Sequence, residues 1–519
     1  MLLIFLFNEI LINGFLFKKK INIIVRFSIK NKIIKIFLHL MVISDYSFEK
    51  FDTLFHPKHI AFIGASEKST FGSMLYLVAF KKSQWAETFY PVNPKYEKIL
   101  DWKCYPSVLD IPFPIDTAYI SVKTHVIPQV LKECVQKEIP WVIIFSSGFS
   151  ETGEQEGLEL EKELKKISQG SKTRIIGPNC LGPFNGETGM AFSFNAPIGI
   201  PGSVSFMSQS GGHLNQLLDI GFRRDIRLRY GVSFGNQIDL NCVDFLRHFT
   251  IDLKTKVIAA YLESFGSAAG HDFFLELKKA TLKKPVIIWK GGYTQAGLKA
   301  AFSHTGAIIS DIKLWDAMAK QTGAILVKDN EEFWNTIKTF ELIYPNLLPK
   351  GRNVGIITPG GGSSVNITDL LASYGLKIPE LTIDSQIKLR EILPKENVNV
   401  KNPVDLGAMG FVTDVYINCV DIVSNDPNIN IVLIPLWPQF FFIYFFKRMI
   451  KILRPVRKPF AFCLPSISDS EELAIKFSKI KKFLHKERIL YFFSLRDAAT
   501  SINSLCIYSE FLRNHVNLK

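Results

Sequence analysis

At 519 residues the chain exceeds what one ordinary hydrophobic core organises, and the usual domain size points to about three domains, for which 47% hydrophobic residues supply ample apolar material. The formal charge of +14 owes much to the first 40 residues, where seven Lys/Arg meet only Glu9; the remaining excess suits a polyanionic small ligand as readily as nucleic acid. No stretch joins clustered basic residues to a nucleic-acid-binding signature, so nucleic acid is set aside, and the seven scattered cysteines, without CxxC spacing, exclude a disulfide framework or structural zinc and fit a reducing cytoplasm.

Residues 1–49 read as an N-terminal extension. Lys18, Lys19, Lys20 and Arg26 break its apolar runs below the roughly 18 residues that a spanning helix needs, and no basic region precedes the first run as in a signal peptide. The expectation is a stretch translated from an overly early start, with Met41 as the natural initiator and a membrane-surface anchor as the second reading.

From Pro57 onward, Val- and Ile-rich runs alternate with helical patterns. HIAFIGAS, TAYISV, PWVIIFSSG and TRIIGPN predict strands of a doubly wound parallel sheet over residues 50–180, each ending in small or polar residues at the carboxyl edge where such sheets bind ligands. SVSFMSQSGG, YGVSFGN, KVIAAYLES and KPVIIWKGG predict a second set within residues 181–345, followed by a helix near Asp311 to Gln321. NVGIITPGGG, INIVLIPL and KPFAFCLP open a third set within residues 346–519. The uncharged run from Ile429 to Phe446 is interrupted by Pro435, Pro438 and Gln439, so it predicts a buried strand through Leu436, a turn, and a helix running into Lys447 and Arg448, which is a soluble α/β pattern.

Gly64, Ala65 and Ser66 follow the first strand, where small residues let backbone amides approach a pyrophosphate; the full G-x-G-x-x-G fingerprint is missing. Asn93 and Lys95 of PVNPK fall beside that turn, where an ammonium can meet a ligand phosphate, and an acidic ribose-binding residue is absent there, which argues against a nicotinamide enzyme. Ser146, Ser147 and Gly148, with Glu151 just beyond, end another strand, and Gly177 to Gly182 the next, so hydroxyls and unpaired backbone groups converge on a polar cleft or mark ordinary turns. Ser208, Ser210 and Gly211 sit between a strand and a helix pattern, a suitable anion site; the serine-nucleophile motif G-x-S-x-G fails because position 206 is Phe206. Glu263 ends a strand, either orienting an imidazole or capping a helix, and His304 stands alone among small residues. No metal site is expected.

Taken in order, FIGAS, PVNPK, SSGFSETG, GPNCLG, SQSGG, SFGNQID, YLES, WKGG and AAFSHTGA, followed by TPGGG at 358–362 and NPVDL at 402–406, resemble the α subunit of NDP-forming acyl-CoA synthetases, especially the ADP-forming acetyl-CoA synthetases, relatives of succinyl-CoA synthetase. The resemblance implies an α/β chain with a Rossmann-like CoA-binding domain followed by two flavodoxin-like domains. It implies CoA contacts from Gly64, Ala65, Ser66, Lys95, Ser146, Ser147 and Gly148, phosphate held by Ser208, Ser210 and Gly211, a phosphohistidine at His304, and support from Glu263. It further implies reversible conversion of acyl-CoA, ADP and phosphate to acid, CoA and ATP. A recognisable ATP-grasp domain is missing, so a separate β subunit carrying ADP/ATP and Mg2+ is the expected partner in a hetero-oligomer, with no membrane contact. The alternative is a CoA-binding regulatory or scaffold protein that lost turnover. Lys123 and Thr124 stand where the family more often has Pro and a small residue.

Overall fold

Short runs that are apolar on both faces become parallel strands, because each must be covered by helices on two sides. The computed structural model describes residues 48–68, 72–85, 87–189, 198–265, 269–299, 311–437, 440, 442–464 and 471–516. The chain divides at Thr53: a short helix, Phe48–Asp52, is described in the first unit, and Leu54–Lys519 forms the second.

Within the second unit, the first sheet takes β1 (Ile60–Ile63), β2 (Phe89–Val92), β5 (Thr117–Ile120), β6 (Trp141–Ile144) and β7 (Arg174–Ile176) in the order β2-β1-β5-β6-β7, all parallel, while β3 (Lys98–Ile99) and β4 (Trp102–Lys103) form a hairpin apart. The chain reverses its direction of travel across the sheet between β1 and β5, which makes their carboxyl ends a crevice. The second sheet has the order β13-β12-β11-β9-β10-β8, built from β8 (Gly182–Asn185), β9 (Val204–Ser208), β10 (Leu228–Ser233), β11 (Val257–Leu262), β12 (Val286–Lys290) and β13 (Ile325–Val327). Only the edge strand β8 is antiparallel, and the reversal point lies between β9 and β11. The third repeats the pattern as β15-β14-β16-β17-β18, from β14 (Val354–Thr358), β15 (Val404–Asp405), β16 (Ile431–Pro435), β17 (Phe460–Cys463) and β18 (Tyr491–Phe492).

A backbone junction joins the first two sheets. After β7 the turn Gly177–Asn179 receives the strand-end loop of β10: Asn236 N donates to Pro178 O at 3.0 Å, Ile238 N to Gly177 O at 3.1 Å and Leu240 N to Ile175 O at 3.1 Å. Gly235, at φ +50°, packs so tightly that a Cβ would lie 2.1 Å from Pro178 O, so only glycine permits the approach. Arg174 forks onto the Asp239 carboxylate at 2.7 to 3.1 Å, and Ile175 N donates to the same carboxylate.

The second and third sheets share one apolar core. The helices Asn330–Ile343 and Leu495–His515 pack together between them, burying Ile337, Phe340, Ile502 and Leu505. On the other face of the third sheet, the aromatic run becomes β16 and the helix Ile443–Val456, whose Phe445, Phe446 and Met449 are buried and whose Ile443 and Tyr444 are exposed. The charged residues that follow the apolar stretch continue this amphipathic helix. Among the described residues no helix is long and apolar enough to cross a membrane.

The NPVDL segment has a structural explanation. β15 pairs with β14 only at its last two residues, so Asn402 substitutes for a longer neighbour: its Oδ1 accepts from Ile356 N at 3.0 Å, and its Nδ2 donates to Val354 O at 2.9 Å and Pro379 O at 2.8 Å. Asn402→Ala orphans these buried groups and is expected to lower stability by about 2–4 kcal/mol, read as a shift of the urea midpoint; an unchanged midpoint would show that water replaces the amide at no cost.

Candidate active site

The two reversal points face a common cleft of about 740 Å³. Its first wall comes from the carboxyl edge of the first sheet: Ser121 and Val122 after β5, and Phe145, Ser146 and Ser147 after β6. Its second wall comes from Gln209, Ser210, Gly211 and Gly212 after β9, and from Glu263 and Ser264 after β11. The junction residues Asn179, Cys180, Asn236 and Gln237 form the floor.

Gly64 sits at the first reversal point with φ +93°, where a Cβ would lie 2.1 Å from Ser121 O. It lets β1 and β5 close their ends side by side. Ala65 is fully buried, and its carbonyl accepts from Asn93 Nδ2 at 2.8 Å; Asn93 Oδ1 in turn accepts from Lys95 N at 3.0 Å. The side chain of Lys95 is exposed, and Ser66 N donates to Ser73 Oγ at 2.8 Å. These four residues therefore form one loop pair beside the cleft, outside the set that lines it.

The Ser146–Gly148 turn is held from both sides. Ser146 Oγ donates to Val122 O at 2.6 Å, Thr124 Oγ1 donates to Ser147 O at 2.9 Å, and Gly148 N donates to Glu151 Oε1 at 2.6 Å. The other Glu151 oxygen accepts from Asn236 Nδ2 at 2.6 Å, which ties this turn to the strand-end loop of β10. Thr124, one of the two residues, with Lys123, that depart from the resembled pattern, thus supports the turn directly.

Across the cleft, Ser210 caps the helix Gly211–Gln216: its Oγ accepts from His213 N at 3.4 Å, and Gly211 and Gly212, whose amides at the helix start lack intrahelical acceptors, line the cleft. Gly211 lies against Leu181, which a Cβ would meet at 2.7 Å. Ser208 is fully buried and does not line the cleft; its hydroxyl donates to Ser210 O at 2.7 Å and accepts from Ser210 N at 3.1 Å, so it shapes the turn from behind.

Glu263 is fixed by Gln209, whose side-chain oxygen accepts from Glu263 N and, at 3.0 Å, from Ser264 N, bridging the second reversal point. Tyr261 donates its hydroxyl to Glu263 Oε1 at 3.1 Å, while Glu263 Oε2 is buried with no hydrogen-bond partner among the described residues. Burial first, and the Glu263 charge second, raise the Tyr261 hydroxyl above its ordinary range, so it remains a donor. Lys290, at the end of β12, is buried and donates to Gly291 O; burial lowers its pKa, which Glu263 partly restores. His304 lies outside the described residues, between β12 and the helix Ile312–Thr322.

The pattern of strand-end hydroxyls exposed Ser146 and Ser210 in the sequence, but Ser121, Asn179, Asn215 and Asn236 also line the cleft. The signal for Asn236 was the SFGNQID turn; nothing local marks Asn215. His213, one turn into the capped helix, packs its ring 4.1 Å from Tyr261 and 4.5 Å from Trp289. Among the described residues no group of three His, Cys, Asp or Glu side chains is placed to hold a metal ion.

Residues 58–185 match the family described as a CoA binding domain, and residues 201–340 the succinyl-CoA ligase like flavodoxin domain. These define the class: a CoA-binding α/β domain joined to a ligase-type flavodoxin-like domain. The chain is 36% identical to the α subunit of ADP-forming acetate–CoA ligase II of Pyrococcus furiosus, over 74% of this chain and 81% of that subunit. It is 34% identical to ADP-forming acetate–CoA ligase II of Archaeoglobus fulgidus over 82% of this chain, and spans 63% of that longer protein. It superposes on an acetyl-coenzyme A synthetase of Candidatus Korarchaeum cryptofilum, described as dinucleotide forming and solved with phosphate and ADP, with a TM-score of 0.77 and 28% identity, over 90% of this chain and 99% of that one. The chain belongs to the family of ADP-forming acetate–CoA ligases.

Burial lowers the pKa of His213, against the raising effects of Gln216 and the Glu263 charge. Its imidazole is therefore expected to titrate below the ordinary 6.5 in an NMR pH series, and lower still in Glu263→Gln. Because the unfolded chain takes up the proton more readily, this group removes stability as pH falls below 6.5. A midpoint at or above 6.5 would contradict the burial of this ring.

Proposed function

We propose that the chain is the α subunit of an ADP-forming acyl-CoA synthetase, working through a phosphohistidine at His304. The observation that carries this reading is Glu263 Oε2: a buried carboxylate oxygen at the cleft wall, without a donor among the described residues, beside the N-terminus of a capped helix. Leaving such an atom unpaired is costly, so the site suits a donor that arrives during the reaction. An imidazole N–H meets that need, and β12, from which the His304 segment departs, lies next to the Glu263 strand.

The first wall of the cleft takes the CoA thioester, with Gly64, Ala65, Ser66 and Lys95 beside its phosphates and Ser146, Ser147 and Gly148 at the mouth. The amides at Ser210 to Gly212, shaped by Ser208, receive phosphate and offset the repulsion between anionic reactants. Phosphate oxygen attacks the thioester carbonyl; the C–S bond breaks, giving acyl phosphate and free CoA. A nitrogen of His304 then attacks phosphorus, releasing the carboxylate, while Glu263 accepts the ring's other N–H and stabilises the cation that develops. The phosphoramidate retains transfer potential, and ADP finally takes the phosphoryl group. The steps run in either direction.

ADP/ATP and Mg2+ belong in this reading to an ATP-grasp β subunit. Support comes from the relatives named as α subunits, which the chain spans at 77–81% of their length. The reaction fits a reducing cytoplasm.

Incubation of the assembled enzyme with acetyl-CoA and labelled phosphate should leave acid-labile, base-stable label on this chain. His304→Ala should abolish it, and Glu263→Gln should slow its appearance by about 10²-fold or more. Unchanged labelling in His304→Ala would overturn the assignment, and CoA binding without label from any acyl-CoA would favour a binding module. Gly64→Ala forces the backbone off Ser121, so CoA affinity in calorimetry should fall about tenfold or more; unaltered affinity would remove the first reversal point from the CoA site.

A further inference from the structure

A second cavity of about 240 Å³ opens on the seam between the second and third sheets and shares no lining residue with the cleft. It is lined by Arg227, just ahead of β10, by Lys338 and Glu341 of the helix Asn330–Ile343, and by His485, Lys486, Arg488 and Tyr491 leading into β18, with Asp225 at one side. Four basic side chains, Arg227, Lys338, Lys486 and Arg488, thus face two carboxyl groups.

We propose that this cavity is an anion site that takes a small dianion of the inorganic phosphate class. Lys338 is the group that calls for one. Only 6% of it is exposed, its ammonium lies 3.3 Å from the centre of the Tyr491 ring, and it has no hydrogen-bond or ion-pair partner among the described residues. A buried ammonium in that condition gains strongly from a counter-ion.

Neither carboxyl pairs directly with Lys338, although the Asp225 charge acts on it across the cavity and opposes part of the effect of burial. Asp225 Oδ1 lies 3.1 Å from His485 Nδ1, and its Oδ2 accepts from Tyr491 OH at 3.0 Å. Arg227 Nη2 lies 3.1 Å from His485 Nε2; a guanidinium only donates, so Nε2 accepts and Nδ1 carries the proton shared with Asp225. Glu341 is buried, its pKa pushed up to about 7, so near neutrality it is partly in the acid form, which can donate to an anion. Burial holds Lys338 down to about 7 as well, so an anion arriving here would restore its charge. Arg488 spends one N–H on Glu341 O at 3.0 Å and keeps the rest of its fork, and Lys486 is exposed at the rim.

The volume decides the size of the occupant. Pockets for drug-sized ligands run about 300–1,000 Å³, so a nucleotide or CoA is too large here and a tetrahedral inorganic anion is the right scale. Bridging Arg227 of one sheet to Arg488 and Lys338 across the seam, it would clamp the two domains together.

Equilibrium dialysis of the full chain with radiolabelled inorganic phosphate tests this. One bound equivalent should be displaced by sulfate and weakened about tenfold or more in both Lys338→Met and Arg488→Gln, with a matching loss of the rise in Tm that phosphate confers. Phosphate bound at Ser210 to Gly212 should be untouched by either variant, so the outcome is independent of the catalytic reading. If Lys338→Met fails to fold by circular dichroism, the half-exposed Arg488→Gln decides. Binding isotherms of Arg488→Gln and the native chain that superimpose would overturn the proposal.

Discussion

The structure depends on a close approach of backbones, where the turn Gly177–Asn179 after β7 meets the strand-end loop of β10 at Gly235 and Asn236. Each doubly wound sheet makes its own crevice where the chain reverses direction, and a crevice alone is only half a site. The junction points the carboxyl edges of two such sheets at one space. Glu151 and Asn236 extend the same connection into side chains, so the turn that faces CoA in the proposed reaction and the loop beneath the phosphate amides are set by one network.

Charge within the cleft follows from burial. The second wall holds one carboxylate, Glu263, among groups whose ionisation burial disfavours: Tyr261 stays protonated, Lys290 is weakened as an ammonium, and His213 is weakened as an imidazolium. Glu263 has one carboxylate oxygen occupied by Tyr261 and, among the described residues, one without a partner. In the proposed reaction, that is the electrostatic partner a histidine needs while it carries a phosphoryl group, and the helix amides opposite would supply the positive potential for the phosphate itself.

Much of this was legible in the sequence because parallel strands covered on both faces leave continuous apolar runs ending in small or polar residues. Ile60–Ile63, Trp141–Ile144 and Val257–Leu262 are of that kind. The edge strand Gly182–Asn185 was not, since GPFN has little strand character and acquires it from pairing with β10; the two-residue strands β15 and β18 are likewise defined by their neighbours. Site chemistry divides the same way. Strand-end position marked Ser210 and Glu263, whereas alternation along β9 turns Ser208 inward, and the role of Gln209 as the clip between β9 and β11 appears only once those strands lie side by side. The Lys338 cavity had no sequence signal, because its charges come from three segments separated by more than a hundred residues.

The central claim, that one cleft brings thioester and phosphate together before any histidine takes part, is tested most directly by arsenolysis. In the enzyme assembled with the proposed ATP-grasp β subunit, arsenate replaces phosphate, attacks acetyl-CoA, and yields an acyl arsenate that hydrolyses, so release of CoA thiol without nucleotide reports the first step alone. The account predicts that this release survives His304→Ala at close to the native rate. Loss of arsenolysis in His304→Ala would contradict it.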